Sequence, residues 1–389
     1  SGRIVDKPAA DTWRRAPEIH DGDENGPTDT SFVVTLEALA KRLRLWRVFK
    51  DLDQEAGIGR YGVLLIGIRD DSDLDDEAPP ALSGPEAIAY VRPYRESQAS
   101  ISIYETDPGS PRFGRPKQYT IDLGEMDGKS LGNVKVHWTR VIHAAENSID
   151  GVFGRPRMQR SFNRLMDTDK VVGSGAEAVW RLIYKGMVVT AKDGYSIEDD
   201  ASALEDEFLK LMHNMKRVII GGGVDVDEVG TSETPDPSGM FNILIDLIAA
   251  DTGIPKRILM GSERGELASS TDASTWAGEI RNRQTTFAEP VILRPFVDWC
   301  IARGVLPVPE AGEYTPVWPP LFEQDEGERI EANRARMEIM EKGTQSGVVE
   351  FGHMTRQELR GLADFPPEPE GETVDDLLDE EDALGEEVE

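Results

Sequence analysis

The chain has 389 residues, enough for two or three domains, and sets 73 acidic against 43 basic side chains for a formal charge of −30. Such a surface repels a polyanion in bulk and argues against a sequence-reading DNA binder, although an acidic wall that avoids phosphate contacts would let a duplex slide past. One cysteine, Cys300, excludes a disulfide framework and reads as a buried small hydrophobe. No apolar run approaches a membrane span, and no signal-peptide pattern is visible, so a soluble protein made in the cytoplasm is expected.

Residues 1–30 are polar, with Pro, Gly and Asp clustered over 20–29, and read as an arm or loop. From 35 to 49 the spacing of Leu36, Leu39, Ala40, Leu43 and Trp46 predicts an amphipathic helix. Its other face carries Lys41, Arg42, Arg44, Arg47 and Lys50; in so acidic a chain a salt-bridged face is a better reading than a nucleic-acid stripe. YGVLLIGI (61–68) is an apolar run of strand length, ended by an acidic loop at 70–80. Over 88–143 the sets Ile101/Ile103, Tyr119/Ile121/Leu123 and Val134/Val136/Trp138 alternate with period two between Pro/Gly/Asp turns, which predicts small β-structure.

Gly154-Arg155-Pro156 opens a predicted helix, with Pro156 suited to its first position. Met158, Phe162, Leu165, Val172, Val179, Leu182 and Ile183 keep one face apolar to about 183, interrupted by Gly173 and Gly175. Residues 187–190 are strand-like, and Ser202 with Glu205 forms a capping box opening a helix to about 215. Residues 218–220 and 224–229 flank Gly221-Gly222-Gly223 as two strands about a turn. No helix follows those glycines directly, so a plain turn suits them better than a phosphate cradle.

From Ser238, a predicted N-cap, Met240, Phe241, Ile243, Leu244, Leu247 and Ile248 fall on one face of a helix stopped by Gly253-Ile254-Pro255. The loop Gly261-Ser262-Glu263-Arg264-Gly265-Glu266-Leu267 has two readings. A Gly-rich loop at a helix start can cradle phosphate, but there is no Gly-Lys-Ser/Thr ending, and Glu263 and Glu266 repel an anion; the other reading is a connector projecting from a rigid helix pair. A long helix follows over 273–302 (Trp276, Ile280, Phe287, Val291), bent by Pro290 and Pro295. Prolines after 304 mark an extended crossing, then come a polar helix at 325–342 and a capping box from Thr355 to Glu358. Residues 366–389 hold 12 acidic and no basic side chains, leaving −18 on the rest, and are expected to be disordered.

Enzyme chemistry finds no foothold. The five histidines (His20, His137, His143, His213, His353) have no metal-ligand spacing and read as satisfied structural residues. No Walker or Gly-x-Ser-x-Gly motif occurs, and paired carboxylates carry no information in a chain this acidic. No active site, metal or cofactor is inferred.

The stretch 238–302, with its Gly-Ile-Pro stop, glycine loop, small-residue run and long helix, resembles tailed-virus portal proteins. EAGIGRYGVLLIG (55–67), DPGSPRFGRPKQYTI (107–121), HWTRVIHAAENSIDGVFG (137–154) and the segment 323–362 fit the same branch in the same order, over about 30–365. The resemblance implies an α+β portal-type subunit: an arm (1–30), a wing of helix plus small β domain (31–153) and a stem helix (154–185). It continues with a β-α-β-β clip (186–237), a second stem helix (238–257), a tunnel loop (258–272), a long kinked helix returning to the wing (273–321), a helical crown (322–365) and the tail. It further implies a ring of twelve copies at one capsid vertex, contacting the major capsid protein, the terminase large subunit and a head-tail adaptor, and passing double-stranded DNA without sequence recognition. Ser262, Glu263, Arg264, Gly265, Glu266 and Leu267 would then face DNA. Arg157, Arg160, Arg164, Asp246 and Asp251 would lie along the channel helices, and Lys216, Arg217, Gly221, Gly222 and Gly223 in the clip. The alternatives are another oligomeric virion connector or scaffold, or an enzyme of unknown type.

The basic side chains divide into 13 Lys and 30 Arg, and an acid-rich, lysine-poor chain suits molar salt, where the Debye length is about 3 Å. If the chain belongs to a halophilic host, circular dichroism will show native helix content in molar salt and its loss at low salt; equal folding in both removes the idea.

Overall fold

The computed structural model describes residues 2–183, 186–191, 206, 209–210, 224–229, 236–261, 268–321 and 334. The chain divides into two units, Ser1–Leu321 and Phe322–Glu389, and of the second only Arg334 is described. Where the sequence predicts a free arm, the chain opens in a helix. α1 (Gly2–Thr12) buries Ile4, Val5 and Ala9, and Trp13 follows them into the core. Pro8 sits inside it, so no helical pattern is legible from sequence; tertiary packing holds the helix instead. β1 (Glu18–Asp21) then pairs antiparallel with β12 (Tyr314–Val317), which makes the proline-rich crossing after 304 a strand at its end. Asp21 is buried and accepts the backbone N–H groups of Glu310 and Ala311, both at 3.0 Å.

The single helix expected over 35–49 is two: α2 (Ser31–Leu43) and α3 (Leu45–Ile58), broken at Arg44 with φ 53°. The break re-aims the apolar stripe, so Leu36 and Leu39 on α2 and Leu45, Phe49 and Leu52 on α3 all enter one core. The basic face is laced by ion pairs, Lys41 to Glu37 at 3.6 Å, Arg42 to Glu86 at 3.5 Å and Arg47 to Asp51 at 3.8 Å.

β2 (Gly62–Ile68) is the central strand of a sheet in the order β3-β2-β9, with β3 (Ile88–Arg95) and β9 (Val141–Ala144) antiparallel on its two sides. Leu64 and Ile66 face the main core with Phe32, Phe49, Phe287 and Phe296. Val63 and Leu65 face a second core with Tyr94, Tyr119, Ile121 and Val136. A strand covered on both faces reads as a continuous apolar run, as this one does. The second core is closed by the sheet β4-β5-β8: β4 (Ala99–Tyr104), β5 (Pro116–Asp122) and β8 (Asn133–His137), the segments with period-two alternation. A small hairpin, β6 (Glu125–Met126) and β7 (Lys129–Ser130), lies between β5 and β8. Helices and antiparallel sheets thus combine in an α+β fold.

The helix predicted from 154 begins later. The N–H groups of Gly154, Arg155 and Arg157 are taken by the carbonyls of Arg60, Glu146 and Gly57 at 2.7, 3.0 and 3.0 Å, and the regular helix starts only at α4 (Phe162–Ile183). Beyond it β10 (Gly186–Ala191) pairs antiparallel with β11 (Val224–Val229), and α5 (Ser238–Thr252) and α6 (Lys256–Met260) follow. The long helix is α7 (Ala268–Arg283), a ten-residue π-helical stretch (Gln284–Leu293) and α8 (Arg294–Ala302). Pro290 lies inside the π-helical stretch, whose wide turns relieve the clash a proline ring makes in an α-helix. The hydroxyls of Thr285 and Thr286 donate to carbonyls of the preceding turn, at 2.7 Å from Thr286 to Asn282. The predicted helix at 325–342, the crown and the tail lie outside the described residues.

Where α1, α3, the approach to α4 and the long helix meet, four charged side chains are buried together. Arg157 donates to Asp53 and, through Nε, to Glu146 at 2.8 Å. Arg283 donates to Asp53 Oδ2 and to Glu146 Oε1, each at 2.8 Å. Trp13 Nε1 adds a bond to Asp53 at 2.8 Å, while the arginines reach the Val5 carbonyl and the Thr12 hydroxyl, each at 2.6 Å. Burial works against the charge on Asp53, but Arg283 and Arg157 outweigh it and hold the carboxyl below its ordinary range.

Removing one anion from this balanced set leaves a buried guanidinium uncompensated, which costs about 3–5 kcal/mol. Thermal melts of Asp53→Asn will show a lower transition than the parent. The carboxylate's contribution is complete above its unfolded value of 3.8 and is lost only as pH falls through the lower folded value, so the deficit will be the same at about pH 7 and pH 5.5. An unchanged melting temperature would show that the four charges do not secure the fold.

Candidate functional site

α4 and α5 pack against each other with an inserted segment between them. Leu165, early in α4, clusters with Ile245 and Ile248 in the later half of α5, while Gly175, further along α4, lies against Pro237 just ahead of α5. The helices therefore run antiparallel, and the antiparallel strands β10 and β11 lie between them in the chain. Ile4 of α1 completes the cluster and fixes the pair to the body. The predicted N-cap Ser238 is itself the first helical residue; Pro237 holds the N-cap position, and the carboxylate of Asp236 before it accepts from the backbone and hydroxyl of Ser238. At the other end Gly253, at φ 70°, closes α5 with its N–H on the Ala249 carbonyl at 2.9 Å, the stop that Gly-Ile-Pro predicts.

The six apolar residues expected on one face of α5 divide. Leu244 and Ile248 are buried and Phe241 is half-buried, with Ile245 added to that face, while Met240, Ile243 and Leu247 are 55, 56 and 41 % exposed on the opposite side. Apolar side chains cover more than half of the helix circumference, leaving Asn242 and Asp246 on the remainder, so a single-face template fits it with several registers and cannot choose between them.

The charged residues assigned to the channel helices fall into different settings. Arg157 is a correction: it precedes α4 and its side chain lies in the buried four-charge set, because its guanidinium compensates Asp53 and Glu146. Arg160, also ahead of α4, and Arg164, in its first turn, are exposed. Asp246 pairs with Lys256 at 2.8 Å, and Asp251 is exposed near the end of α5. Arg160 and Asp251 line one cleft of about 970 Å³ together with Arg115, Arg155 and Glu279.

Ser262, Glu263, Arg264, Gly265, Glu266 and Leu267 lie outside the described residues, as do Lys216, Arg217, Gly221, Gly222 and Gly223. Both roots of the 262–267 loop are described. Ile258 on α6 and Trp276 and Ile280 on α7 form one buried cluster with Ile254, and Arg257 reaches Asp272 at 3.8 Å across the roots. Trp276 Nε1 donates to Asp11 at 2.7 Å, tying the second root to α1. Arg3 donates to the Ile258 carbonyl at 2.9 Å and packs on Gly261, where φ is 82° and a Cβ would meet its guanidinium at 2.6 Å. The residues on either side of 262–267 are thus fixed to the body.

The four-charge set had no local signal, since residues 53, 146, 157 and 283 meet only in the fold. His143, which lines the cleft, and His137 are committed internally. His143 stacks on Tyr61 at 4.8 Å, takes a bond from the Tyr119 hydroxyl at Nδ1 and donates from Nε2 to the Val152 carbonyl at 2.7 Å; burial pushes it down to about 4, so it stays neutral. His137 bonds Thr139 at 2.9 Å. Among the described residues no cluster of His, Cys, Asp or Glu could hold a metal ion, and no helix is long and apolar enough to cross a membrane.

Comparison with known proteins places this arrangement. Residues 1–342 match the family model described as phage portal protein. No curated protein matches the chain. Among solved structures, a chain from the neck of an empty GTA particle, computed with C6 symmetry, is 16 % identical, with 94 % of this chain and 89 % of that one covered and a TM-score of 0.49. A chain from the virion of a native gene transfer agent particle is 15 % identical with the same coverage and a TM-score of 0.48. An HK97 family phage portal protein from Corynebacterium diphtheriae is 10 % identical, with 75 % of this chain and 83 % of that one covered and a TM-score of 0.37. With the family model spanning most of its length, as the resemblance in its motifs led one to expect, the chain belongs to the phage portal protein family.

Proposed function

We propose that the chain is the subunit of a ring at one capsid vertex, twelve copies on the sequence resemblance, whose channel passes double-stranded DNA during packaging and ejection. The observation that carries this reading is the family match over residues 1–342, which takes in the helix pair, the insertion and the loop between fixed roots. The channel acts by shape. A duplex carries about one phosphate charge per 1.7 Å of axis, and each cation that pairs with phosphate adds holding force. Within residues 262–267 Arg264 is the one cation, flanked by Glu263 and Glu266, so the loop touches phosphate transiently and does not hold it. Arg160, just ahead of α4, and Arg164, in its first turn, add two exposed cations.

The rest of the assembly follows from the same reading. A separate terminase supplies ATP hydrolysis and docks on the insertion at 186–237, where Lys216 and Arg217 are the adjacent basic pair ahead of the triple glycine. The major capsid protein and a head-tail adaptor hold the outer body and the two ends. The long helix of α7, the π-helical stretch and α8 joins the loop to the wing, since its far half is packed in the main core through Phe287, Ile292 and Phe296.

Replacing residues 262–267 with a Gly-Ser linker will leave annuli intact in negative-stain images of the purified protein and lower the amount of nuclease-protected DNA per particle. Unimpaired packaging in particles carrying that variant would remove the DNA-facing role of the loop. Absence of annuli from the parent protein would remove the ring itself.

A further inference from the structure

Two stretches of this acidic chain carry cations and no acid. Residues 111–117 hold Arg112, Arg115 and Lys117, and residues 151–166 hold Arg155, Arg157, Arg160 and Arg164. The fold brings them together. Nη1 of Arg115 donates to the Gly151 carbonyl at 3.3 Å, and Arg115, Arg155 and Arg160 line the same cleft of about 970 Å³. Lys117 pairs with Glu105 at 3.2 Å, and Arg157 belongs to the buried four-charge set. Among the described residues, Arg115, Arg155 and Arg160 have no carboxylate within ion-pair distance.

Each of the two touching loops also turns one apolar side chain to solvent: Phe113 is 61 % exposed and Ile149 90 %. Both loops are tied internally. Between β4 and β5 the N–H of Glu105 reaches the Arg115 carbonyl and the N–H of Gly114 the Glu105 carbonyl, each at 2.9 Å. Arg112 lies over the Trp138 ring at 3.4 Å and donates to the Pro116 carbonyl at 2.8 Å. In the second loop Asp150 Oδ1 accepts from the Ser148 hydroxyl at 3.0 Å and from the N–H groups of Val152 and Phe153 at 2.8 Å. Asp107 likewise takes the N–H of Gly109 at 2.9 Å. These acids serve their own loops, and Phe113 and Ile149 are held in place before any partner arrives, which lowers the ordering cost of contact.

Aromatic and arginine side chains are the usual anchors of protein–protein contacts, and cations without partners select an acidic one. A DNA duplex is a poorer fit. It is stiff over roughly 150 bp and lies across a cleft, and its phosphates give Phe113 and Ile149 no apolar cover. We propose that the face formed by Phe113, Arg115, Ile149, Arg155 and Arg160 binds an extended acidic segment of another protein. Its carboxylates meet the arginines while its apolar side chains cover Phe113 and Ile149. Asp251 on α5 and Glu279 on α7 line the same cleft, repel such a segment and confine it to the arginines. A single subunit carries the whole face, so the proposal goes beyond the ring and does not depend on it.

The test titrates the full chain into a fluorescent synthetic peptide of repeated Glu-Glu-Leu, at about 0.15 M salt, where the net charge is screened beyond about 8 Å. The parent is expected to raise the peptide's anisotropy, and a peptide with Gln in place of Glu is expected to bind more weakly. Arg155→Glu with Arg160→Glu should weaken binding at least about tenfold, since like charges then face each other. Phe113→Ser with Ile149→Ser should weaken it about tenfold by removing the apolar contact. All four side chains are exposed, so both variants should keep the parent's circular dichroism and melting temperature. Four outcomes overturn the proposal. They are no binding to the parent, equal binding by parent and both variants, displacement of the peptide by duplex DNA at an equal or lower concentration, and binding by dissociated subunits that vanishes in assembled ones, which would make the face a contact between copies. A parent that binds the peptide yet forms no annuli leaves this surface standing and removes the ring instead.

Discussion

Asp53 and Glu146 held between Arg157 and Arg283 are the interaction on which the rest of the body depends. Burying four charges is a weak way to gain stability, since well-packed apolar groups of the same volume do as well or better. What the set supplies is register. Each guanidinium is planar and donates in two directions, so it satisfies both carboxylates only when α3, the segment before α4 and the end of α7 stand in one relative position. Bonds to Val5 and Thr12 bring α1 into the same lock. Misplacing any one of the four segments strands a charge in the interior, and that penalty selects a single arrangement. The roots of the loop and the base of the α4–α5 pair are both attached to this body, through Trp276 on Asp11 and through Ile4, so their positions inherit its precision.

Much of the body is legible in the sequence because its elements obey local rules. β2 is announced by an unbroken apolar run, β5 and β8 by period-two alternation, and the end of α5 by Gly-Ile-Pro. The failures have physical causes as well. α1 carries a proline and few apolar side chains, and long-range packing, to which periodicity is blind, makes it a helix. The break at Arg44 depends on one residue in a left-handed conformation that is seldom chosen by arginine. The delayed start of α4 arises because three backbone N–H groups find tertiary acceptors, again a long-range matter. For the candidate site the sequence marks the loop and the two helices around it. It misassigns Arg157, since nothing near residue 157 announces carboxylates contributed by residues 53 and 146.

The outer surface of the α4–α5 pair changes how the family's task is pictured in this chain. Charged residues were assigned to both helices, and on α5 Asp246 and Asp251 are exposed together with Met240, Ile243 and Leu247, so that helix presents apolar and acidic side chains side by side.

The proline at the middle of the long helix has a mechanical consequence. Pro290 has no N–H to donate, and straightening the π-helical stretch into ordinary α-helix would drive its ring toward the carbonyl one turn back, a penalty of about 3 kcal/mol or more. The wide turns are therefore a built-in crook, not a spring that winds and unwinds. Since Phe287 and Ile292 within that crook are clamped in the core, a push on the Asp272 end of the rod arrives at the body with little slack.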